Sequence, residues 1–235
     1  MKIIAIGGGD IGSRRLKDGV MFQYPVETTA IDKKIIEMSG KKNPRLLFVD
    51  TAGGYQWPSY QIAVDEHFGQ ELGCIISRLP LANEAPTEKE MRKVLDNTDI
   101  IYVGGGDTLF MLERWRATGF DKLLKEYGER GIILSGLSAG AVCWFDWADN
   151  EDHIDGDFSK LEIFSALGFI KGWCFPHWDD KSDTEKQAII TLAKSHGILC
   201  YGVDNCAAIV FEDGKMSFVS SKQGAEVHIL NSGEK

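Results

Sequence analysis

The sequence predicts an α/β fold of three layers, a mostly parallel sheet with helices on both faces, and two observations carry that prediction. Short apolar runs at 2–6, 45–50, 74–79, 99–106 and 131–138 alternate with segments of helical periodicity. Strands apolar on both faces and separated by helices belong to a parallel sheet covered on both sides. Glycine-rich stretches follow the runs at 7–9, 104–106 and 136–140, and ligands of such sheets sit beyond the carboxyl ends of the strands.

The first run, KIIAI, leads into G-x-G-x-x-G at Gly7, Gly9 and Gly12, with Asp32 further on. This is the outline of a dinucleotide-binding fingerprint, which needs its glycines to open directly into a helix. Here they open into the polar stretch 13–19, and good helical periodicity starts only near Thr28. Asp32 is therefore expected as a first-turn acid, and the glycines at 7–9 as the floor of a site beside the later glycine stretches. A shift in melting temperature with NAD is not expected.

Further along, TEKEMRKVLDN (87–97) reads as a helix, with Thr87 and Glu90 spaced as a capping box. VGGGDTLFMLERW reads as strand, loop and a helix capped by Asp107 or Thr108. The second half continues with WCFPH (173–177), a helix from about Thr184 to His196, and ILCYGV (198–203). A hairpin over 207–219 turns at Asp213-Gly214, a pair suited to the backbone twist of a tight hairpin. The stretch 146–157 is expected to be an acidic surface loop. No repeat or linker divides the chain, so a single domain over 1–235 is expected.

Composition narrows the function. With 26 Lys and Arg against 35 Asp and Glu, the formal net charge is −9, which argues against a phosphate-tracking surface and a nucleic-acid partner. No apolar stretch approaches the ~20 residues of a membrane span, and the apolar start is too short for a signal peptide. The five cysteines, at 74, 143, 174, 200 and 206, form no C-x-x-C pair. Reduced thiols in a cytoplasmic protein, monomeric or homodimeric, fit that usage better than a disulfide framework or a zinc site.

Gly136-Leu137-Ser138-Ala139-Gly140 is a full G-x-S-x-G between an apolar strand and a helical segment. Such a sharp strand-to-helix turn exposes the serine, and its flanks must be small because strand and helix backbones pass close by. Ser138 also begins a helix, where free N–H groups favour developing negative charge. Among the histidines at 67, 153, 177, 196 and 228, His177 ends an apolar run and lies at a strand's carboxyl end, as Ser138 does. His67 and His196 fall in helical patterns, His153 lies in the acidic stretch, and His228 is in the last strand. A base needs an acceptor on its other ring nitrogen, and Asp204, Asn205 and Asp179 are the candidates. The second glycine triplet lets backbone N–H groups approach a substrate oxygen, giving an oxyanion donor beside the N–H of Ala139.

VGGGDTL, GLSAGAV, PHW and the chain length together resemble the peptidase E family of serine peptidases, which includes aspartyl dipeptidases and is related to cyanophycinases. The resemblance runs from about Ile3 to Phe211. It implies a class I glutamine amidotransferase-like (flavodoxin-like) fold with a nucleophile elbow. It further implies Ser138 as nucleophile, His177 as base, and the N–H groups of Gly106 and Ala139 as oxyanion hole, with no metal or cofactor. The segment Thr51-Ala52-Gly53-Gly54 and the following Tyr55-Gln56-Trp57 resemble the family's substrate-side loop, so Thr51, Gly53 and Gly105 are expected to contact a small peptide.

Two departures stand out. The family's dipeptidases orient the histidine with a glutamate where this chain has Asn205, with Asp204 adjacent, so one of these two or Asp179 is expected to orient His177. They also bind the substrate aspartate with an arginine shortly after the histidine, whereas 179–187 offers only Lys181 and Lys186. Strict specificity for an N-terminal aspartate is therefore not expected. A binding or sensing protein that keeps the elbow without catalysis is the alternative. An α/β-hydrolase esterase would require His228 to return to the active edge.

Overall fold

The computed structural model describes residues 1–54 and 58–231. β1 (Lys2–Ile6) shows why its run is apolar throughout: Ile3 and Ala5 enter one core and Ile4 and Ile6 another, because alternate side chains project to opposite faces. After it come an antiparallel hairpin, β2 (Arg14–Lys17) and β3 (Val20–Gln23), then α1 (Thr29–Ser39) and β4 (Arg45–Val49). α2 (Pro58–Val64) runs into a π-helical segment, Asp65–Glu71, before β5 (Ile75–Arg78). α3 (Glu88–Leu95) starts at the expected capping box, Thr87 accepting from the Glu90 N–H and Glu90 from the Thr87 N–H.

β6 (Ile100–Val103), α4 (Thr108–Thr118), α5 (Phe120–Glu129), β7 (Ile133–Leu137) and the short α6 (Ala139–Val142) complete the first half. β8 (Phe145–Asp149), β9 (Ile163–Ser165), β10 (Ile170–Phe175), α7 (Asp183–His196) and β11 (Cys200–Val203) follow. The chain closes with β12 (Ala207–Glu212), β13 (Lys215–Ser220) and β14 (Val227–Asn231).

A seven-stranded sheet has the order β13-β12-β1-β7-β6-β4-β5. Its strands from β1 to β5 are parallel, with β12 and β13 added antiparallel at one edge. A second sheet, β14-β11-β10-β8-β9, covers part of one face. Its Cys174, Tyr201 and Phe145 share a core with Ile3, Val103 and Ile209 of the first sheet.

Two sequence expectations are corrected here. His177 and Ser138 do not share a sheet edge, since β10 and β11 belong to the second sheet. The stretch 146–157 is not a surface loop throughout, because β8 pairs with β10 and β9. Two of its acids are acceptors for the neighbouring strand: Asp146 accepts from the Gly172 N–H at 3.0 Å and Asp149 from Trp173 Nε1 at 2.9 Å. The 13–19 stretch also opens the β2–β3 hairpin, turned at Asp18-Gly19 with both residues at positive φ. All five cysteines are buried and free. Among the described residues no helix is long and apolar enough to cross a membrane.

Candidate active site

The register of the central strands brings three turns level. β7 pairs with β1 through Leu137 and Ile6 and with β6 through Gly136 and Val103, so Gly7, Gly104 and Ser138 emerge side by side. Ser138 stands between β7 and α6 at φ 57° and ψ −117°, a conformation that a side-chain-bearing residue rarely adopts. Two glycines permit this crossing: a Cβ on Gly136 would lie 2.3 Å from the Gly140 carbonyl oxygen, and one on Gly140 would lie 2.3 Å from that of Val103. The Ser138 N–H donates to the Ile6 carbonyl at 2.9 Å, and its carbonyl accepts from Ala141 and Val142. The pentad is thereby held as a strained elbow whose half-buried serine faces the cavities beside it.

His177 leaves the end of β10, also at positive φ, with its N–H donating to the Gly7 carbonyl at 3.0 Å. Its Nε2 lies 3.0 Å from Ser138 Oγ, and its Nδ1 lies 2.8 Å from Asn205 Oδ1. The first glycine triplet is packed against this pair. A Cβ on Gly8 would fall 2.1 Å from Asn205 Oδ1 and 2.5 Å from His177 Nδ1. Gly7 donates to Ala207 and Gly8 accepts from Cys206, at 2.9 Å each, which ties the turn to the start of β12 in its own sheet, while the His177 N–H on the Gly7 carbonyl ties it to the end of β10 in the second sheet.

The candidates for orienting His177 now separate. Asn205 touches the ring. Asp204, expected as an equal alternative, faces away: it accepts from the Glu226 N–H and lies 3.0 Å from His228 Nε2. Past the end of β11 the chain turns at Asn205-Cys206, which leaves Asp204 on the side of His228 and Asn205 on the side of His177. Asp179 reaches Asn205 instead of His177, accepting from its backbone N–H at 2.7 Å and from Nδ2 at 3.0 Å. Of the other histidines, His67 is buried between Asp32 and Glu71, and His153 pairs with Asp107. His196 is exposed at the end of α7. His228 is engaged by Asp204 on the far side of that turn.

Gly106 and Ala139 line a cavity of about 430 Å³ together with Ser138 and His177. Gly106 has φ 134°, and a Cβ there would lie 2.4 Å from the Ala52 carbonyl oxygen, so its backbone approaches the site in a way that only glycine allows. Asp149, Glu151, Asp152 and Lys181 line the same cavity, with Lys181 ion-paired to Glu151. Burial pushes the Asp149 carboxyl up to about 7 against the pull of its bonds from Trp173 and the Glu151 N–H. A second cavity, about 470 Å³, opens on the other side of the dyad and is lined by Ile11, Arg15, Tyr60 and Gly105 among others.

Thr51 is a correction. It is fully buried, its hydroxyl accepts from Trp115 Nε1 at 3.0 Å, and it lines neither cavity. Gly53 likewise lies beneath Gly106, its backbone nitrogen 2.8 Å from where a Gly106 Cβ would sit. Both support the second glycine turn from below. Tyr55, Gln56 and Trp57 lie outside the described residues.

The model of peptidase family S51 matches residues 21–219. The chain belongs to peptidase family S51. This S51 chain is 32% identical over 230 residues to the uncharacterized peptidase YgaJ of Bacillus subtilis (strain 168), covering 97% of this chain and 90% of that one. It is also 32% identical over 156 residues to an uncharacterized peptidase of Listeria monocytogenes serovar 1/2a, covering 65% and 75% of the two chains. The crystal structure of a peptidase from an acI-B1 Actinobacterium superposes with a TM-score of 0.74 at 20% identity, covering 98% of this chain and 91% of that one. The two chains therefore share the α/β fold, and as a member of family S51 this chain is a peptidase.

The glycines at 7–9 were expected at the floor of the site, but two of its features escaped the sequence reading. The acidic wall from β8 was masked by its resemblance to a solvated loop, although the alternation Phe145-Asp146-Trp147 is a strand signal. Arg15 sits on a hairpin whose Asp18-Gly19 turn was a readable cue.

Proposed function

We propose that this peptidase is a serine exopeptidase of dipeptidase type that hydrolyses small peptides through an acyl-enzyme on Ser138. The observation that carries the reading is the 3.0 Å contact between Ser138 Oγ and His177 Nε2 at a strained elbow. Ser138 Oγ attacks the scissile carbonyl carbon while its proton passes to His177 Nε2. The N–H groups of Gly106 and Ala139 receive the oxyanion. The C–N bond then breaks as His177 returns the proton to the leaving amine. Water, deprotonated by His177, attacks the ester and releases the acid, regenerating Ser138.

The two open cavities flanking the dyad, about 430 and 470 Å³, suit one residue on each side of the scissile bond. The wall formed by Asp149, Glu151 and Asp152, with its only lysine already paired, disfavours an acidic side chain there. An acidic residue is thus not expected on that side of the dyad. Purified protein is expected to cleave members of a dipeptide library and to lose all turnover in Ser138→Ala; cleavage that persists in that variant would overturn the reading. A binding protein without turnover is the second reading, favoured by the neutral Asn205 in the orienting position. It predicts peptide-dependent melting shifts without cleavage.

A further inference from the structure

Asn205 has two unlike ends, an oxygen that accepts and a nitrogen that donates. Which end faces His177 decides whether the dyad works. If Nδ2 faced the ring it would donate to Nδ1, the ring proton would move to Nε2, and Nε2 could no longer accept from Ser138. An isolated asparagine offers little to choose between these two orientations.

Here the choice is made from behind. Asn205 Nδ2 donates to Asp179 Oδ1 at 3.0 Å and to Asp180 Oδ2 at 2.8 Å, and the Asn205 backbone N–H donates to Asp179 Oδ1 at 2.7 Å. Ionised carboxylates only accept, so the reversed amide would set its oxygen against two anions. Oδ1 must face His177 Nδ1, which then carries the ring proton and leaves the Nε2 lone pair towards Ser138 Oγ. Both acids come from the single turn that follows the base, Trp178–Asp180, closed by the Asp180 N–H on the His177 carbonyl at 3.1 Å. Base and carboxylates are thus placed by one local piece of chain.

We infer that Asp179 and Asp180 are positioning residues of the hydrolytic site. Through Asn205 they set the tautomer of His177, and they hold behind a neutral amide the negative charge that a carboxylate at position 205 would have supplied directly. The inference rests on the proposed Ser138 chemistry, and it explains how a site with asparagine in the orienting position keeps a working base.

The test uses four variants of the full chain: D180N, D179N/D180N, N205D and D179N/D180N/N205D. D180N touches only the side-chain amide of Asn205, so it separates the effect from any loosening of the backbone at 205. Two readouts are taken, the His177 ring tautomer by nitrogen NMR and the rate at which a fluorophosphonate labels Ser138. The wild type is expected to carry its proton on Nδ1. Labelling is expected to slow about threefold in D180N and roughly tenfold in D179N/D180N, with a mixed tautomer in the double variant.

N205D alone is expected to slow at least as much, because a third carboxylate then faces two others. The triple variant is expected to return to within about threefold of wild type, since its new amides donate to the new carboxylate. A merely structural role for the two acids would not give this rescue. Unchanged tautomer and labelling in D179N/D180N beside a labelled wild type would overturn the inference and leave the hydrolase reading standing. A triple variant no faster than N205D would also overturn it. A tautomer change in D179N/D180N beside a wild type that never labels would uphold the positioning and overturn the hydrolase reading.

Discussion

The glycine turn at 7–9 follows β1 and packs against His177 and Asn205, whereas the turn at 104–106 follows β6 and packs against Ser138 and the buried 51–53 segment. The same three-residue sequence serves two halves of one site, because a backbone without side chains allows close approach wherever it is needed. The first turn joins two sheets and holds the base side. The second lies within one sheet and frames the side where the carbonyl would bind. A site assembled across a sheet boundary depends on the joining turn more than on either sheet alone.

Gly8→Ala is expected to have the largest effect. Its new methyl overlaps Asn205 Oδ1 at 2.1 Å and His177 Nδ1 at 2.5 Å, so the pair must move apart. Labelling of Ser138 should fall by at least roughly 100-fold, the order expected when a reacting group is displaced by about 1 Å. The melting temperature should change little, because His177 lines both cavities and can move into open space. Gly105→Ala is the matched change on the second turn. Its methyl would lie 3.2 Å from Ser138 Cβ and 3.7 Å from Oγ, a contact that small shifts relieve. Labelling there should slow about tenfold or less. Equal losses in the two variants would contradict the unequal roles of the two turns.

A smaller effect concerns the acidic wall. Burial raises the Asp149 carboxyl to about 7 in the folded chain, against about 4 when unfolded. Between those values the folded state keeps a proton that the unfolded state releases. This contribution to stability is therefore full below about pH 4 and is lost as pH rises through about 7. Asp50, also raised to about 7 by burial, acts in the same direction. Melting temperature should fall from pH 5 to pH 8, and Asp149→Asn should flatten that slope. The smallest effect is at a site remote from both turns. Thr87→Ala removes the capping box of α3 and should cost about 1 kcal/mol of stability, with labelling of Ser138 unchanged.

The parts of the site that could be read from sequence were those with a local cause. The pentad around Ser138 carries its own steric logic, and His177 ends an apolar run with a strand's pattern. The Thr87–Glu90 box and the Asp213-Gly214 turn are likewise local. What stayed hidden depends on long-range pairing. Nothing in WCFPH says that β10 leaves the first sheet for a second one. The choice of Asn205 over Asp204 is a matter of which face one strand end turns to the base. Thr51 was expected as a substrate contact because 51–54 resembles the family's substrate-side loop, yet its hydroxyl accepts from the indole N–H of Trp115. Asp179 was a candidate from its place beside His177, but that it and Asp180 accept from Asn205, some 25 positions away, lies beyond any local pattern.

The most direct test of the proposed chemistry is to label the folded protein with a fluorophosphonate and locate the adduct by peptide mass spectrometry, comparing wild type with Ser138→Ala and Gly8→Ala. The expected result is one adduct, on Ser138, absent from Ser138→Ala and nearly absent from Gly8→Ala although both variants melt like the wild type. An adduct on another residue, or equal labelling in all three proteins, would contradict a serine nucleophile activated by His177.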